Sequence, residues 1–236
     1  MNIVILTGAG ISAESGIRTF RGADGLWEDH RLEDVATPEA FARDPALVQR
    51  FYNERRHQLQ QPGIQPNAAH LALALLEQQH PGTVTLVTQN IDDLHDRAGS
   101  QNLLHMHGEL LSVFCTRSHQ RRRWTGDVAT SEPCDCCRPP GVLRPDVVWF
   151  GEIPLHMEAI EAALLDCQLF ISIGTSGNVY PAAGFVRLAR QVGARCIEVN
   201  LEGSMISNAF HEHRVGPATV EVPKLVEEIL SARESG

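Results

Sequence analysis

Short apolar runs separated by helical stretches govern what this chain can fold into. The runs "NIVIL" (2–6), "TVTLVTQNID" (83–92), "LFISIG" (169–174) and "RCIEVN" (195–200) are rich in β-branched residues and mostly apolar on successive positions, the pattern of strands buried on both faces. Between them lie helical patterns: "NAAHLALALLEQQ" (67–79), opened by Asn67 as N-cap, then 156–166, 181–192 and a closing helix at 223–233. Strands alternating with helices predict an α/β fold: a doubly wound, Rossmann-like parallel sheet with helices on both faces.

Two stretches break the alternation. Residues 23–66 are charged and carry Pro38, Pro45 and Pro62, with helical spacing around Leu47, Val48, Phe51 and Leu59, so they read as a small inserted helical module. Residues 112–140 hold cysteines, arginines and prolines but little core, and read as a small cysteine-containing, zinc-ribbon-like insert. The expected division is 1–22, 67–111 and 141–236 for the main domain, 23–66 and 112–140 for the inserts. "LLHMHGELLSVFC" (103–115) reads as strand, loop, strand, and "VLRPDVVWFGE" returns to regular structure.

Composition narrows the function. Twenty basic against twenty-nine acidic residues give a formal net charge of −9, which argues against a nucleic-acid or membrane-surface partner. The run Arg121-Arg122-Arg123 reads as a solvated edge. "MNIVILTGAG" has no charged segment ahead of its apolar run and is not a signal peptide, and nothing approaches the roughly 18 apolar residues of a membrane span. Six cysteines without a secretion signal point to a reducing, cytoplasmic setting with thiols or metal rather than disulfides. The chain opens directly in a strand-like run, which leaves room for a longer translation product.

In such sheets ligands bind beyond the carboxyl ends of the strands. Four strand ends here carry polar chemistry. Gly8-Ala9-Gly10 with Ala13 forms a Gly-x-Gly-x-x-Ala turn, which lets a backbone approach a pyrophosphate or simply makes a tight turn. No second strand follows within about 30 residues to present an acid to a ribose, so a hydride-transfer dehydrogenase is disfavoured. "TQNID" (88–92), "GTS" (174–176) and "NLE" (200–202) end the other strands. Together they suit an extended, ribose-bearing dinucleotide.

"GAGISAESGIRTFRG", "TQNIDDLH", "HMHGEL", "VVWFGE", "GTS" and "NLE", in this order, resemble the sirtuins, NAD-dependent protein lysine deacylases, in their bacterial CobB-type form. The resemblance covers nearly the whole chain. It implies cleavage of the nicotinamide–ribose bond of NAD and transfer of an acyl group from lysine, yielding nicotinamide, free lysine and O-acyl-ADP-ribose. His107 would be the general base on a ribose hydroxyl, a task that suits an imidazole. His105, two residues earlier, is expected to face elsewhere. Gln89, Asn90 and Asp92 would hold the nicotinamide ribose and carboxamide, with Ile91 between them. Gly8, Ala9, Gly10, Ser12, Ala13, Phe20, Arg21 and Trp27 would line the pyrophosphate and nicotinamide side. Gly174, Thr175, Ser176, Asn200, Leu201, Glu202 and Ala218 would take the rest of the cofactor. An acylated lysine of a partner protein would lie extended between "GTSGNV" and the segment carrying Val148, Phe150, Gly151 and Glu152.

The family also carries a structural zinc on two Cys-x-x-Cys pairs. Cys134 and Cys137 form one pair. The other is broken, since Cys115 is followed three residues later by Ser118, a poor zinc ligand. Cys136 or His119 can supply the fourth position, or the site is degenerate. Cys167 and Cys196 read as core.

Tyr52 and Arg55 in "FYNERRHQL" lie three apart and so share a helix face, with Arg56 on another. Within the resemblance this helix roofs the acyl-lysine tunnel, and a Tyr–Arg pair there implies acidic acyl groups such as succinyl and malonyl. A buried carboxylate needs charge-assisted partners, and an acetyl group does not. The expectation is an enzyme removing both acetyl and succinyl groups. Mono-ADP-ribosyl transfer and a non-catalytic NAD or ADP-ribose sensor are the alternatives.

Overall fold

The structure, a computed structural model, describes residues 1–18, 30–232 and the backbone of 26–27. Strand β1 (Ile3–Thr7) is buried along its whole length and runs into a 3-10 helix (Ala9–Ser15). A short ribbon, β2 (Leu26–Trp27) with β3 (His30–Arg31), precedes helices α1 (Leu32–Val35), α2 (Pro38–Arg43) and α3 (Pro45–Leu59). Both α2 and α3 begin on a proline behind a capping side chain: Thr37 accepts the Ala40 N–H at 3.0 Å and Asp44 the Leu47 N–H at 2.9 Å.

Helix α4 (Ala68–Gln79) starts at the expected Asn67 cap, and strand β4 (Val84–Thr88), helix α5 (Leu94–Ala98) and strand β5 (Leu103–His105) follow. Three strands then form an antiparallel sheet of their own: β6 (Gly108–Cys115), β7 (Arg121–Arg123) and β8 (Leu143–Val147), in the order β7-β6-β8. The expected boundary at 111/112 therefore falls inside a strand. Helix α6 (Met157–Leu165), strand β9 (Leu169–Ile173), helix α7 (Phe185–Gln191), strand β10 (Arg195–Asn200), strand β11 (Glu212–Val215) and helix α8 (Ala218–Ser231) complete the chain.

The large sheet is parallel, in the order β11-β10-β9-β1-β4-β5. Strands two and three of this sheet lie on one side of β1, and four to six on the other. The winding reverses between β1 and β9, where doubly wound sheets open a ligand crevice. Alternate residues of each strand serve two cores. Ile3, Ile5, Leu86, Ile171 and Ile197 pack with Leu73 and Leu76 of α4 and Val222 and Leu225 of α8. Val4, Leu6, Phe170 and Cys196 pack with Ile160, Leu164, Val186 and Cys167 on the other face, which places both of those cysteines in core as expected.

Of the strands that the sequence reading did not name, β8 and β11 are the longest. β8 is "LRPDV", wholly buried although it holds Pro145 and two charges. Its charges are neutralised in place, since Asp146 accepts from Ser112 and Arg121 at 3.0 Å each and Arg144 pairs with Glu152 at 2.7 Å. β11 is an edge strand, "EHRV", with little apolar content. The closing helix begins at Ala218 rather than 223 and carries Pro223 inside it.

Candidate active site

The 3-10 helix meets the end of β9 at the reversal point. Gly8 donates to Ile173 O and Gly10 to Gly174 O, both at 3.0 Å. A Cβ on Gly10 would sit 2.6 Å from Gly174 Cα, and one on Gly8 2.8 Å from Gly174 O. These glycines thus hold two strand ends at backbone contact.

Behind the cradle lies a buried polar group drawn from the 3-10 helix, α4 and the loop after β4. Ser12 donates to Asp92 Oδ2 at 3.0 Å and lies 3.4 Å from His70 Nε2. Asn90 Nδ2 reaches Gly8 O at 3.1 Å and Ser12 Oγ at 3.2 Å. Since the one Ser12 proton goes to Asp92, His70 Nε2 is the donor, and its Nδ1 accepts the Asn67 N–H at 3.3 Å. The His95 ring lies 4.8 Å from that of His70, tilted by 59°, and reaches Thr7 Oγ1 at 3.0 Å; Thr7 donates to Thr88 Oγ1 at 2.9 Å, which accepts the Asn90 N–H at 3.1 Å. Burial lowers His70 to about 4 and holds His95 well below its ordinary range, so both are neutral. Burial also pushes Asp92 up to about 6, against the hydrogen bonds it accepts from Leu94 and Ser12. Sequence reasoning missed His70, His95, Thr7 and Thr88. Their only signal was polar residues on the apolar side of α4 and α5 and at strand ends.

His107 lies half-buried in the turn between β5 and β6, and its Nδ1 is 3.0 Å from the Gln89 carbonyl oxygen. A carbonyl only accepts, so Nδ1 carries the proton and Nε2 keeps its lone pair. Burial lowers the His107 pKa, with the Gln89 contact opposing. His105 takes different partners: its Nε2 lies 3.0 Å from Asp96, which raises its pKa despite burial. Two residues apart on a strand would face alike; the turn at Met106 separates them.

On the other half, Gly174 has φ +63°, Thr175 Oγ1 lies 3.0 Å from Ser172 Oγ, and Asn200 Nδ2 donates to Thr175 O at 2.8 Å. Ser176, Leu201 and Glu202 are exposed, while Ala13 is half-buried and Ala218 buried at the start of α8. The 3-10 helix and α8 are tied by Glu14, which accepts from Thr219 N at 3.1 Å. Phe20 and Arg21 lie outside the described residues, as does the side chain of Trp27. The glycine cradle, the strand-end polar groups and the open Nε2 fit a bound NAD.

Tyr52 and Arg55 sit on α3 against the strand β8 and the loop after it. Tyr52 is wholly buried and its hydroxyl accepts the Trp149 indole N–H at 2.9 Å. The Arg55 guanidinium lies 3.9 Å over the Phe51 ring and donates to Phe51 O at 3.0 Å. Arg56, expected only as a bystander on another face, is fully buried and donates to Leu110 O at 3.1 Å and Asn53 Oδ1 at 2.6 Å. It rivets α3 to β6. Val148 donates to His107 O at 2.9 Å, Gly151 turns the loop, and Phe150 and Ile153 are exposed on it. Glu152, expected to meet substrate, has its carboxylate committed inside the loop, to Arg144 at 2.7 and 3.0 Å and Trp149 N at 2.8 Å.

Cys115, Cys134, Cys136 and Cys137 bring their sulfurs within 4.8 Å of one another. Backbone N–H groups of Arg117 and Ser118 point at Cys115 Sγ at 3.4 Å, and Gly141 N at Cys134 Sγ at 3.1 Å, contacts that favour thiolates. Four convergent thiols on a loop with little core suit tetrahedral zinc. Cys136, not His119, completes the set; Ser118 instead contacts Cys136 Sγ at 3.0 Å. Among the described residues no helix is long and apolar enough to cross a membrane.

Comparison with known proteins agrees with this geometry. The Sir2 family profile matches residues 8–181. The chain is 64% identical over 234 residues to an "NAD-dependent protein deacylase" of Vibrio vulnificus (strain YJ016), covering 99% of this chain and 96% of that one. It is 61% identical to a protein of the same description from Escherichia coli (strain K12), covering 99% and 84%. A solved Sir2 homologue–NAD complex superimposes with a TM-score of 0.88 at 38% identity, over 98% of this chain and 90% of that one. A structure described as Sir2 bound to acetylated peptide gives 0.82 at 29% identity, over 96% and 92%.

Proposed function

The chain belongs to the Sir2 family, and from that premise we propose that it is an NAD-dependent protein lysine deacylase acting on both acetyl and succinyl groups. NAD supplies the electrophile: its nicotinamide–ribose bond breaks, and the lysine's acyl oxygen takes the ribose carbon that nicotinamide vacates. The cradle at Gly8, Gly10 and Gly174 would hold the pyrophosphate, with Asn200 and Glu202 toward the adenosine half. Asn90 and Asp92, locked through Ser12, would orient the nicotinamide ribose. His107 Nε2 would accept the proton of a ribose hydroxyl, because Gln89 keeps the other nitrogen protonated. That one-sided histidine is the observation that carries the reading. A sensor would have no use for a positioned base.

The segments at 147–152 and 174–179 would flank an extended acyl-lysine peptide, bound largely through main-chain hydrogen bonds. A solved structure described as Sir2 bound to acetylated peptide supports a peptide substrate. On α3, Arg55 with Tyr52 would receive the carboxylate of an acidic acyl chain. The four cysteines would hold a structural zinc. The test is mass spectrometry of the products formed from NAD with acetyl- and succinyl-lysine peptides. O-acyl-ADP-ribose from both is expected, whereas ADP-ribose attached to protein would support the transferase alternative instead.

A further inference from the structure

The run Arg121-Arg122-Arg123 is the whole of β7, and β7 is an edge strand of the small sheet. It pairs with β6, Arg121 opposite Phe114, Arg122 opposite Val113 and Arg123 opposite Ser112. The bonds on either side set which backbone groups face inward. Cys115 N donates to Gln120 O at 3.0 Å and Trp124 N to Leu111 O at 2.8 Å. Ser112 Oγ donates to Arg122 O at 3.2 Å. Residues 120, 122 and 124 therefore turn toward β6, and the antiparallel alternation turns the N–H and C=O of Arg121 and Arg123 outward. Among the described residues no strand pairs with that outer edge.

An open row of donors and acceptors is a template for one more strand. The side chains around it say which strand. Residues 115–140 hold five arginines against three acids, in a chain whose formal net charge is −9. Arg121 reaches Asp146 at 3.0 Å and Arg122 reaches Asp135 at 2.9 Å. Arg117, Arg123 and Arg138 are exposed, and among the described residues none of them has a carboxylate partner. A second copy of β7 would oppose arginine to arginine across the pair. A nucleic acid would meet the guanidinium groups but has no amide ladder for the outward N–H and C=O groups. An extended peptide rich in glutamate or aspartate meets both.

We propose that the outer edge of β7 is a docking strand for an acidic, extended segment of a partner protein. Main-chain hydrogen bonds form at Arg121 and Arg123, and the arginines select the charge. Docking there needs neither NAD nor an acyl-lysine, so it is measured on the whole chain alone. The probe is a short fluorescein-labelled peptide alternating glutamate with valine, followed by anisotropy at low salt. Saturable binding is expected, and a peptide with glutamine in place of glutamate should bind about tenfold more weakly. Arg123→Gln, which breaks no bond among the described residues, should weaken the glutamate peptide by about threefold, and Arg121→Gln with Arg123→Gln by about tenfold, the size of exposed ion pairs. An added strand bonds through every second residue. N-methylation of one set of peptide amides, the glutamates' or the valines', should therefore abolish binding, while the other set leaves it intact. No binding of the glutamate peptide, equal binding by the arginine variants, or equal effects of the two methylations would overturn the proposal. So would a single-stranded oligonucleotide that binds wild type more tightly than the peptide, since that assigns the arginines to phosphate.

Discussion

Replacing glycines at the strand-end crossing separates steric from conformational demands on the cofactor cradle. Gly10→Ala puts a Cβ 2.6 Å from Gly174 Cα and 2.9 Å from Gly174 O. Both are backbone atoms, so no rotamer change relieves the clash, and the cost belongs at the upper end of overpacking, about 3 kcal/mol. Gly99→Ala meets nothing within 4 Å but forces an L-residue to φ +100°, which costs roughly 1–2 kcal/mol. Gly174→Ala combines both faults, with Ile11 N at 2.6 Å, Gly10 Cα at 2.7 Å and φ +63°, for about 4 kcal/mol or more. At roughly 2–4 °C per kcal/mol for a chain of this size, Gly10→Ala should lower Tm by about 6–12 °C. Urea and thermal unfolding would rank the three as Gly174, Gly10, Gly99. The KM for NAD should rise in the first two and stay near wild type in Gly99→Ala, which lies away from the cradle. A Gly10→Ala protein within about 1 kcal/mol of wild type with normal NAD affinity would refute the close-contact account.

His107→Tyr should abolish deacylation with little loss of stability; deacylation near the wild-type rate would remove His107 as base. Because burial lowers the His107 pKa, its base form survives to lower pH, and the acid limb of kcat/KM should fall below the ordinary imidazole value of about 6.5. His70 is neutral when folded, with a pKa of about 4, but titrates near 6.5 when unfolded, so the unfolded state binds the extra proton between those values and stability drops as pH falls through them. Asp92, raised to about 6, opposes this by taking up a proton in the folded state. His70→Gln should therefore lose less stability than wild type between pH 7 and 5, by about 1.4 kcal/mol per pH unit where the one proton differs; parallel urea midpoints would contradict the assignment. Arg55→Met should remove most desuccinylation and much less deacetylation, a discrimination of roughly 1.5–3 kcal/mol, and an equal loss of both would make Arg55 a support of the helix alone. Cys136→Ser should reduce zinc per chain by metal analysis while His119→Ala leaves it unchanged; the opposite pattern would give the fourth position to His119.

Arg56 shows how far sequence periodicity reaches. It places Arg56 off the Tyr52–Arg55 face correctly, but says nothing of what that other face meets, and the carbonyl of Leu110 meets it. The segment "LRPDV" read only as a return to regular structure, not as a strand, for a related reason. Its charges look solvent-seeking until Arg121, Ser112 and Glu152 are folded around them. The cysteine spacing was legible as metal-binding. Which residue replaces the broken pair depended on where the loop carries Cys136, and His119 and Cys136 are equally plausible on spacing.

By itself the sequence determined what local pattern can encode. The buried β-branched runs dictate strands, Asn67 and the prolines of α2 and α3 dictate helix starts, and the polar strand ends mark where a nucleotide could lie, because these depend on neighbours a few residues away. Only the tertiary structure decided the contacts made across long stretches of chain. The Gly10–Gly174 abutment, the Ser12–Asp92–His70 group and the Trp149–Tyr52 bond each join residues that meet only after the sheet is wound. A hydrogen bond needs both partners within about 3 Å, and no periodicity of one segment carries the position of the other.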